Sequence, residues 1–141
     1  MNCIFCDIVD KKIPAKVIAE NEGAIAFLDV QPISDGHAII IPKKHYKNLS
    51  ECPIEELIHV FALVREVANT IMFSKLKPWG FNYLSNEGNV AGQEIMHFHV
   101  HVIPKYAKRE GLNMTMGAHC VEDIDNIYKQ IMKAAKPLKS Y

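Results

Sequence analysis

The stretch that decides the fold and the chemistry of this chain is His97-Phe98-His99-Val100-His101-Val102. Alternate side chains of a β-strand point to opposite faces, so an extended conformation here places all three imidazoles on one face. Phe98, Val100 and Val102 then share the other face, which is apolar enough to bury against a core. Because leucine or valine would pack better than histidine, three rings in strict alternation favour a functional site over ordinary core packing.

Two kinds of chemistry use imidazoles that share one strand face. Such rings can bind a metal ion, and a site with three protein ligands keeps an open position for catalysis. Alternatively, one neutral ring can act as a nucleophile while its neighbours donate hydrogen bonds to a charged substrate. The spacing of the three histidines does not distinguish these two possibilities.

Length, charge and cysteine content narrow the class of protein. A chain of 141 residues is sufficient for one domain with a core, and we predict a single domain over 1–141. Sixteen Lys and Arg balance sixteen Asp and Glu, which argues against a nucleic-acid-binding surface. No apolar run approaches the roughly 20 residues of a transmembrane helix, and the start of the chain does not resemble a secretory signal. Four cysteines are too few for a disulfide-stabilised scaffold, so we predict a reduced cytoplasmic protein.

Short apolar segments and turn residues predict an α+β fold. Strands are predicted at 16–20, 24–28, 37–41, 81–85 and 97–102, with a hairpin turn at 21–23 between the first two. Apolar residues at helical spacing from Ile54 to Met72 predict a long helix whose stripe is core or interface. Ile124 to Ala135 mark a second helix, before a loose tail from Pro137. The hairpin connections favour an antiparallel five-stranded sheet with two helices.

Several further motifs lie in order around the histidine-rich stretch. They are Cys3-Ile4-Phe5-Cys6, Ile13-Pro14-Ala15-Lys16, Gly36-His37-Ala38, Ile41-Pro42-Lys43-Lys44-His45, Asn86-Glu87-Gly88 and Gly92-Gln93. With this set, nearly the whole chain resembles the histidine-triad (HIT) family of nucleotide hydrolases and transferases, and it is most similar to the HINT-like branch with an amino-terminal cysteine pair. The resemblance implies a HIT-like core over about 3–106, a C-terminal helix over about 121–136, and a homodimer across which the sheet extends.

The resemblance also implies a mechanism. His99 matches the nucleophile that attacks the α-phosphorus and forms a nucleotidyl-histidine intermediate, which divides one difficult displacement into two easier ones. His101 matches the residue that hydrogen-bonds the phosphate and the leaving group, and His37 matches a further imidazole beside the phosphate. Asn86 and Gln93 match polar residues that orient phosphate oxygens and the leaving group. The implied reaction cleaves nucleoside phosphoramidates or related nucleotidyl conjugates and releases a nucleoside monophosphate.

A pocket for a purine nucleotide is implied at the front of the chain. In the family, apolar side chains wall the base and a carboxylate, matched here by Asp29, binds the ribose hydroxyls. The matching wall residues are Phe5, Ile8, Ile18, Phe27 and Leu28. The implied nucleotide-binding set is completed by Asn86, Gln93, His99 and His101. Apolar walls with a few placed polar groups are typical of small-molecule sites.

Cys3 and Cys6 form a Cys-x-x-Cys pair, which can be redox-active, metal-binding or inert. No βαβ pattern of the thioredoxin kind surrounds the pair. Two thiolates and two imidazoles would complete a closed tetrahedral zinc site, which is structural rather than catalytic. The resemblance supplies the imidazoles as His45 and His97. It therefore implies Zn²⁺ as a structural cofactor and no organic cofactor, and it leaves the other two rings of the stretch for the substrate.

One position departs from the family pattern, and two other functions stay open. Glu94 follows Gln93 where the best-known phosphoramidate-cleaving members carry a small hydroxyl residue, so the leaving-group preference is open.

A metal-dependent hydrolase would use the same histidines to hold a catalytic ion, and a chelator would abolish its activity reversibly. A nucleotide-responsive regulatory protein would bind the same nucleotide, and its hydrolysis would be incidental.

Overall fold

The computed structural model describes residues 2–136 and confirms the antiparallel five-stranded sheet. Its strands are arranged in the order β1-β2-β3-β5-β4, and each neighbouring pair is antiparallel. The strands are β1 (Val17–Glu20), β2 (Ala24–Leu28), β3 (Ala38–Pro42), β4 (Gly80–Leu84) and β5 (Val100–Lys105). The helices are α1 (Ile4–Val9), α2 (Ile54–Met72) and α3 (Ile124–Ala134), with 3-10 turns at Leu49–Glu51 and Asn89–Ala91. The expected loose tail from Pro137 lies outside the described residues.

The histidine pattern predicts a strand that starts at residue 97, but strand β5 begins at Val100. The reason is the pairing of its neighbours, because β3 pairs with β5 only from Val100 onwards and β4 only from His101 onwards. Before that point the Phe98 amide donates to the Tyr46 carbonyl at 2.6 Å instead of to a neighbouring strand. Phe98 still packs in the same core cluster as Val100, so the alternation of side chains continues through this segment.

Side chains cover both faces of the central strands, which explains why β2 and β3 are apolar at every position. One face packs on α2 in a cluster that includes Ala24, Ala26, Ala38, Ile40, Phe98, Val100, Val102, Val60, Leu63, Val64, Val67, Ala68 and Ile71. The opposite face carries Ile25, Phe27, Ile39 and Ile41, and helix α1 packs on it through Phe5. His97 and His99 follow the alternation onto this second face, where both rings pack edge-on against Phe5.

Helix α1, which has six residues, is not predicted by any pattern in the sequence. A helix of this length is marginal by itself, so its position depends on its contacts. The Cys3 sulfur accepts the Cys6 amide at the start of the helix at 3.4 Å. The buried Phe5 ring packs edge-on against Phe27 and His99, with centroid distances of 5.5 Å and 5.2 Å. The N-terminal segment therefore folds onto the histidine face of the sheet.

Helix α2 carries two apolar stripes, whereas the spacing predicts a single stripe from Ile54 to Met72. One stripe is buried against the sheet, and the other leaves Ile54, Ile58, Phe61 and Met72 exposed. Phe61 lines a shallow groove together with Tyr83 of the edge strand β4. None of the α3 residues is buried within the described chain. No helix within residues 2–136 is both long and apolar enough to cross a membrane.

Candidate active site and metal cluster

A cleft of about 610 Å³ opens on the histidine face of the sheet. Its lining comes from α1 and the segment after it, from β2 and the loop that follows, from β3, and from residues 92–101. The lining residues are Ile4, Phe5, Ile8, Ile13, Pro14, Ala15, Phe27, Leu28, Asp29, Val30, Gln31, Ile39, Gly92, Glu94, Ile95, His99 and His101. An apolar region, two carboxylates and two imidazoles therefore share one space.

Most of the base-pocket residues expected from the sequence line this cleft. They are Phe5, Ile8, Phe27 and Leu28. Ile18 does not line it, and its place in the base pocket stays a prediction. Strand β1 shifts register between Val17 and Ala19, which leaves Ile18 at the outer strand of the sheet with 41% of its surface exposed. A register shift of this kind has no signature in the apolar pattern.

Several lining residues are not predicted by the sequence patterns. Ile39 has a usable signal, since it lies two residues after His37 and therefore on the same face of the strand. Ile13 and Pro14 belong to one of the ordered motifs, but the sequence assigns them no place. Ile4 has no signal, because its position depends on α1.

The ring of His99 is buried and has a defined tautomer. Its Nδ1 lies 2.7 Å from the His97 carbonyl, which can only accept, so Nδ1 carries the hydrogen and Nε2 keeps a lone pair. The Ser85 hydroxyl donates to the His99 carbonyl at 2.8 Å and holds the backbone from the other side. Burial lowers the pKa of His99, although the His97 carbonyl and the Asp29 charge oppose this effect. The ring is therefore held neutral with one nitrogen free to attack.

His37 and His101 form a hydrogen-bonded pair with an ordered proton. The Ile33 amide donates to His37 Nδ1 at 3.3 Å, so the hydrogen of the neutral His37 ring is on Nε2. That Nε2 lies 2.9 Å from His101 Nδ1 and 3.5 Å from an Asp29 oxygen. His101 Nδ1 is then the acceptor, and His101 carries its own hydrogen on Nε2. Burial lowers the pKa of His37 and lowers that of His101 to about 4, so both rings are neutral near pH 7.

The two imidazoles that line the cleft therefore offer complementary groups. Their ring centroids are 5.0 Å apart. His99 presents a nitrogen lone pair, and His101 presents an N–H donor. A nucleophile beside a preorganised donor suits attack on a centre whose oxygens gain charge, such as a phosphorus or a carbonyl carbon.

The two amide residues expected at the phosphate have different positions. Asn86 is half-buried and does not line the cleft, but its Nδ2 donates at 3.2 Å to the carbonyl of Gly92, which does and forms part of the rim. Gln93 is 2% exposed and does not line the cleft. Its Nε2 donates to the carbonyls of Lys47 at 2.7 Å and Ile95 at 3.1 Å, and its Oε1 accepts the amide of residue 88 at 3.0 Å. Both of its amide hydrogens therefore hold the backbone of the rim, and a contact between Gln93 and phosphate stays a prediction.

The four expected metal ligands, Cys3, Cys6, His45 and His97, come together. His97 Nδ1 lies 3.3 Å from the Cys3 sulfur and 3.6 Å from the Cys6 sulfur, and His45 Nδ1 lies 3.4 Å from the Cys6 sulfur. Zinc–ligand distances of about 2.0–2.3 Å at tetrahedral angles put sulfur and nitrogen ligands about 3.5 Å apart. The cluster therefore has the dimensions of a tetrahedral metal site.

Protonation in this cluster also suits a metal. The His97 Nε2 lies 3.0 Å from the Pro42 carbonyl, so its hydrogen is on Nε2 and the Nδ1 lone pair faces the sulfurs. A carbonyl that fixes the tautomer in this way is typical of metal-binding histidines. Burial and the neighbouring Cys3 raise the pKa of the Cys6 thiol to about 11. A bound cation would offset this cost and let both thiols ionise.

A second cluster, formed by Asp29, His37 and His101, also brings ligand atoms together. Here the tautomer argues against a metal. An imidazole that binds a metal through Nε2 must carry its hydrogen on Nδ1, but His37 Nδ1 faces the amide hydrogen of Ile33 at 3.3 Å. The donor chemistry therefore favours the cysteine-containing cluster over a catalytic metal at the cleft.

Known proteins resemble this chain in sequence and in structure. A family model described as a HIT domain matches residues 10–108. An adenosine 5'-monophosphoramidase of Schizosaccharomyces pombe is 36% identical over 138 residues, covering 96% of this chain and 100% of that protein. The crystal structure of a HIT family member from Bacillus subtilis is similar with a TM-score of 0.88 at 36% identity, covering 98% of this chain and 100% of that one. A zinc-bound histidine triad family protein from Mycobacterium smegmatis is similar with a TM-score of 0.72 at 33% identity, covering 80% and 85%.

Proposed function

The chain belongs to the HIT domain family, and on that premise we propose that it is a hydrolase or transferase of purine nucleotides. Its substrates are nucleoside phosphoramidates or related nucleotidyl conjugates, which it cleaves at the α-phosphorus to release a nucleoside monophosphate. One observation carries the proposal: the free Nε2 of His99 and the Nε2–H of His101 belong to neutral rings in the same cleft. We propose that residues 1–141 belong to one domain.

The proposed reaction has two steps at His99. In the first, the Nε2 lone pair forms a bond to phosphorus, the P–N bond of the substrate breaks, and its electron pair stays on the departing nitrogen, which takes a proton from water. In the second, the remaining hydroxide attacks phosphorus, the bond to His99 breaks, and its electron pair returns to Nε2. His101 donates its Nε2–H to a phosphoryl oxygen, and Asn86 at the rim offers a further donor. The sum converts the phosphoramidate and water into a nucleoside monophosphate and an amine.

The nucleoside would occupy the apolar region of the cleft. Phe5 and Phe27 pack edge-on there, and Ile8 and Leu28 add aliphatic surface on which a purine can rest. Asp29 is half-buried beside this region, and one of its oxygens already accepts the Gln31 amide at 2.8 Å. Its remaining lone pairs can accept hydrogen bonds from two ribose hydroxyls. An apolar surface for the base beside a carboxylate for the ribose supports selection of a nucleoside over a simple phosphate.

We also propose that Cys3, Cys6, His45 and His97 hold a structural Zn²⁺. The support is the spacing of the ligand atoms and the tautomer of His97 described above. A closed four-ligand site leaves no position for substrate, so the metal would stabilise the N-terminal segment and take no part in the reaction. A reducing cytoplasm would keep the two thiols available for the metal.

A homodimer is the assembly we propose, with no nucleic-acid partner. Strand β4 is an outer strand of the sheet, so a second copy could pair with it and continue the ladder. The exposed stripe of α2, which includes Ile58 and Phe61, lies next to Tyr83 of that strand and would pack against the same partner. Contiguous exposed apolar residues on a small domain commonly mark an interface.

The proposal is tested with an adenosine phosphoramidate that carries a fluorescent amine. Wild-type protein should release the amine, and His99→Ala should lose at least about 100-fold in rate, since covalent catalysis is removed. His119→Ala is the matched control, because this histidine is exposed and does not line the cleft. A brief acid-free quench followed by intact mass spectrometry should detect a nucleotide adduct on His99. Turnover close to wild type in His99→Ala would eliminate the mechanism.

A further inference from the structure

Within residues 2–136, every formally charged side chain that lines the cleft is a carboxylate. Asp29 and Glu94 contribute carboxylates, and the lining formed by residues 2–136 includes no lysine or arginine. His99 and His101 are neutral for the reasons given above, so they do not balance these charges. Sites that act on polyphosphates normally surround the phosphates with lysine, arginine or metal ions. This cleft is therefore poorly suited to a leaving group that is itself a phosphate.

The two carboxylates have different surroundings. Asp29 is half-buried and contacts both His37 and the Gln31 amide, which assigns it to the nucleoside side of the cleft. Glu94 is exposed and lies on the opposite segment of the lining, next to the rim residues. None of the ion pairs formed within residues 2–136 involves Glu94. Its charge is therefore available to whatever part of the substrate extends beyond the phosphorus.

We propose that Glu94 makes the cleft selective for leaving groups whose departing atom gains a proton and positive charge as its bond to phosphorus breaks, that is, for amines. The inference rests on the proposed function and names its leaving group. As the P–N bond breaks, the nitrogen takes a proton from water and carries partial positive charge; the electron pair of the broken bond stays on nitrogen, and a neutral amine departs. A carboxylate beside that nitrogen accepts its N–H hydrogen bonds and stabilises the positive charge as it develops.

The same carboxylate disfavours leaving groups that depart through oxygen. When a P–O bond to a phenol or a phosphate breaks, its electron pair places negative charge on the departing oxygen. Repulsion between that oxygen and the Glu94 carboxylate raises the barrier of this step. Each effect is small at an exposed site, about threefold in rate. Because the two effects have opposite signs, the preference for amine over phenol leaving groups should change by about tenfold when the charge is removed.

The test uses two substrates with the same nucleotide, the propylamine phosphoramidate of adenosine monophosphate and its 4-nitrophenyl ester. The measured quantity is the ratio of kcat/KM for the amide to kcat/KM for the ester, in zinc-loaded wild type and in E94Q, E94D and E55Q. We expect E94Q to lower this ratio about tenfold and E94D, which keeps the charge, to preserve it. E55Q removes an equal charge from the exposed start of α2 and should leave the ratio unchanged.

The ratio is insensitive to a partly unfolded preparation, because both substrates are measured on the same sample. A ratio in E94Q within twofold of wild type would overturn the role of Glu94 while leaving the proposed hydrolase intact. An equal decrease in E55Q would also overturn it, since the effect would then follow net charge rather than position. Failure of the wild type to cleave either substrate, with no adduct on His99, would instead contradict the proposed function itself.

Discussion

Removal of metal from the cysteine-containing cluster should loosen the N-terminal segment and leave the reacting groups in place. The cluster ties Cys3 and Cys6 to His45 and His97, which lie outside that segment. Helix α1 begins just after Cys3 and contains Cys6, it lines the cleft through Phe5 and Ile8, and its six residues are too few to hold themselves in position. A chelator should therefore lower the stability of the protein and raise KM, whereas kcat should change much less.

The expected sizes follow from the contacts. The sulfur–nitrogen distances of 3.3, 3.4 and 3.6 Å already match a tetrahedral site, so metal binding needs little rearrangement. At a thousandfold excess over its dissociation constant, a bound ion stabilises the native state by about 4 kcal/mol. For a chain of this length that corresponds to about 10–15 °C in Tm. Loss of the Phe5 wall of the cleft costs about 1.5–3 kcal/mol of apolar burial, or roughly a tenfold to hundredfold increase in KM.

The assay follows thermal unfolding and phosphoramidate kinetics on one preparation, first as isolated, then after chelation, and then after readdition of zinc. Cys6→Ser should reproduce the chelated state permanently, because a serine hydroxyl is a poor zinc ligand. Cys120→Ser is the matched control, since this thiol is exposed and lies outside the cluster. It should respond to chelation and to zinc as the wild type does.

Two results would refute this reasoning. An unchanged Tm after chelation, with no metal released, would show that the cluster holds no metal. A loss of kcat with an unchanged Tm, restored by zinc, would show instead that the ion takes part in catalysis. That second outcome would revive the metal-dependent hydrolase that the tautomer of His37 disfavours.

Three other changes have defined outcomes. Leu63→Ala removes a fully buried side chain between α2 and the sheet and should cost about 2–5 kcal/mol in a urea titration; an unchanged midpoint would contradict the core assignment. Burial lowers the pKa of His101 to about 4, so the unfolded chain binds more protons than the native state between that value and the reference value of 6.5. The free energy of unfolding should therefore decrease as the pH falls through this window, and a constant value would argue against a buried neutral ring. Phe61→Glu places a charge on the exposed stripe of α2 and should convert the proposed dimer to a monomer in light scattering, whereas a wild type that is already monomeric would exclude this interface.

The alternating direction of side chains along a strand predicts a large part of the site. The alternation in His97 to Val102 assigns the imidazoles and the apolar residues to opposite faces, and it does so although the ladder begins only at Val100. Side-chain direction depends on a local repeat of two residues, whereas the end of a strand depends on partners that are distant in sequence. The first property can be predicted from one segment, and the second cannot.

The features that the sequence does not predict are set by distant contacts. Helix α1 depends on the burial of Phe5 against β2, and Ile18, which does not line the cleft, lies in an outer strand whose register shifts between Val17 and Ala19. Which apolar stripe of α2 is buried depends on how the helix is rotated on the sheet, and the spacing of Ile54 and Phe61 is compatible with either answer. Gln93 belongs to a motif implied to bind substrate, yet its amide is used by three backbone groups that lie together only in the folded chain.

His97 is the point at which two otherwise independent parts of the molecule meet. Its ring faces the thiols, and its own carbonyl accepts the hydrogen of the attacking imidazole. The hydrogen bond from the His97 ring to the Pro42 carbonyl does not depend on the cysteines, so it can hold this peptide plane when the ion leaves. A cluster tuned to release its ion at a chosen free concentration would therefore make substrate affinity a readout of that ion, which makes the scaffold a starting point for a metal-responsive biosensor.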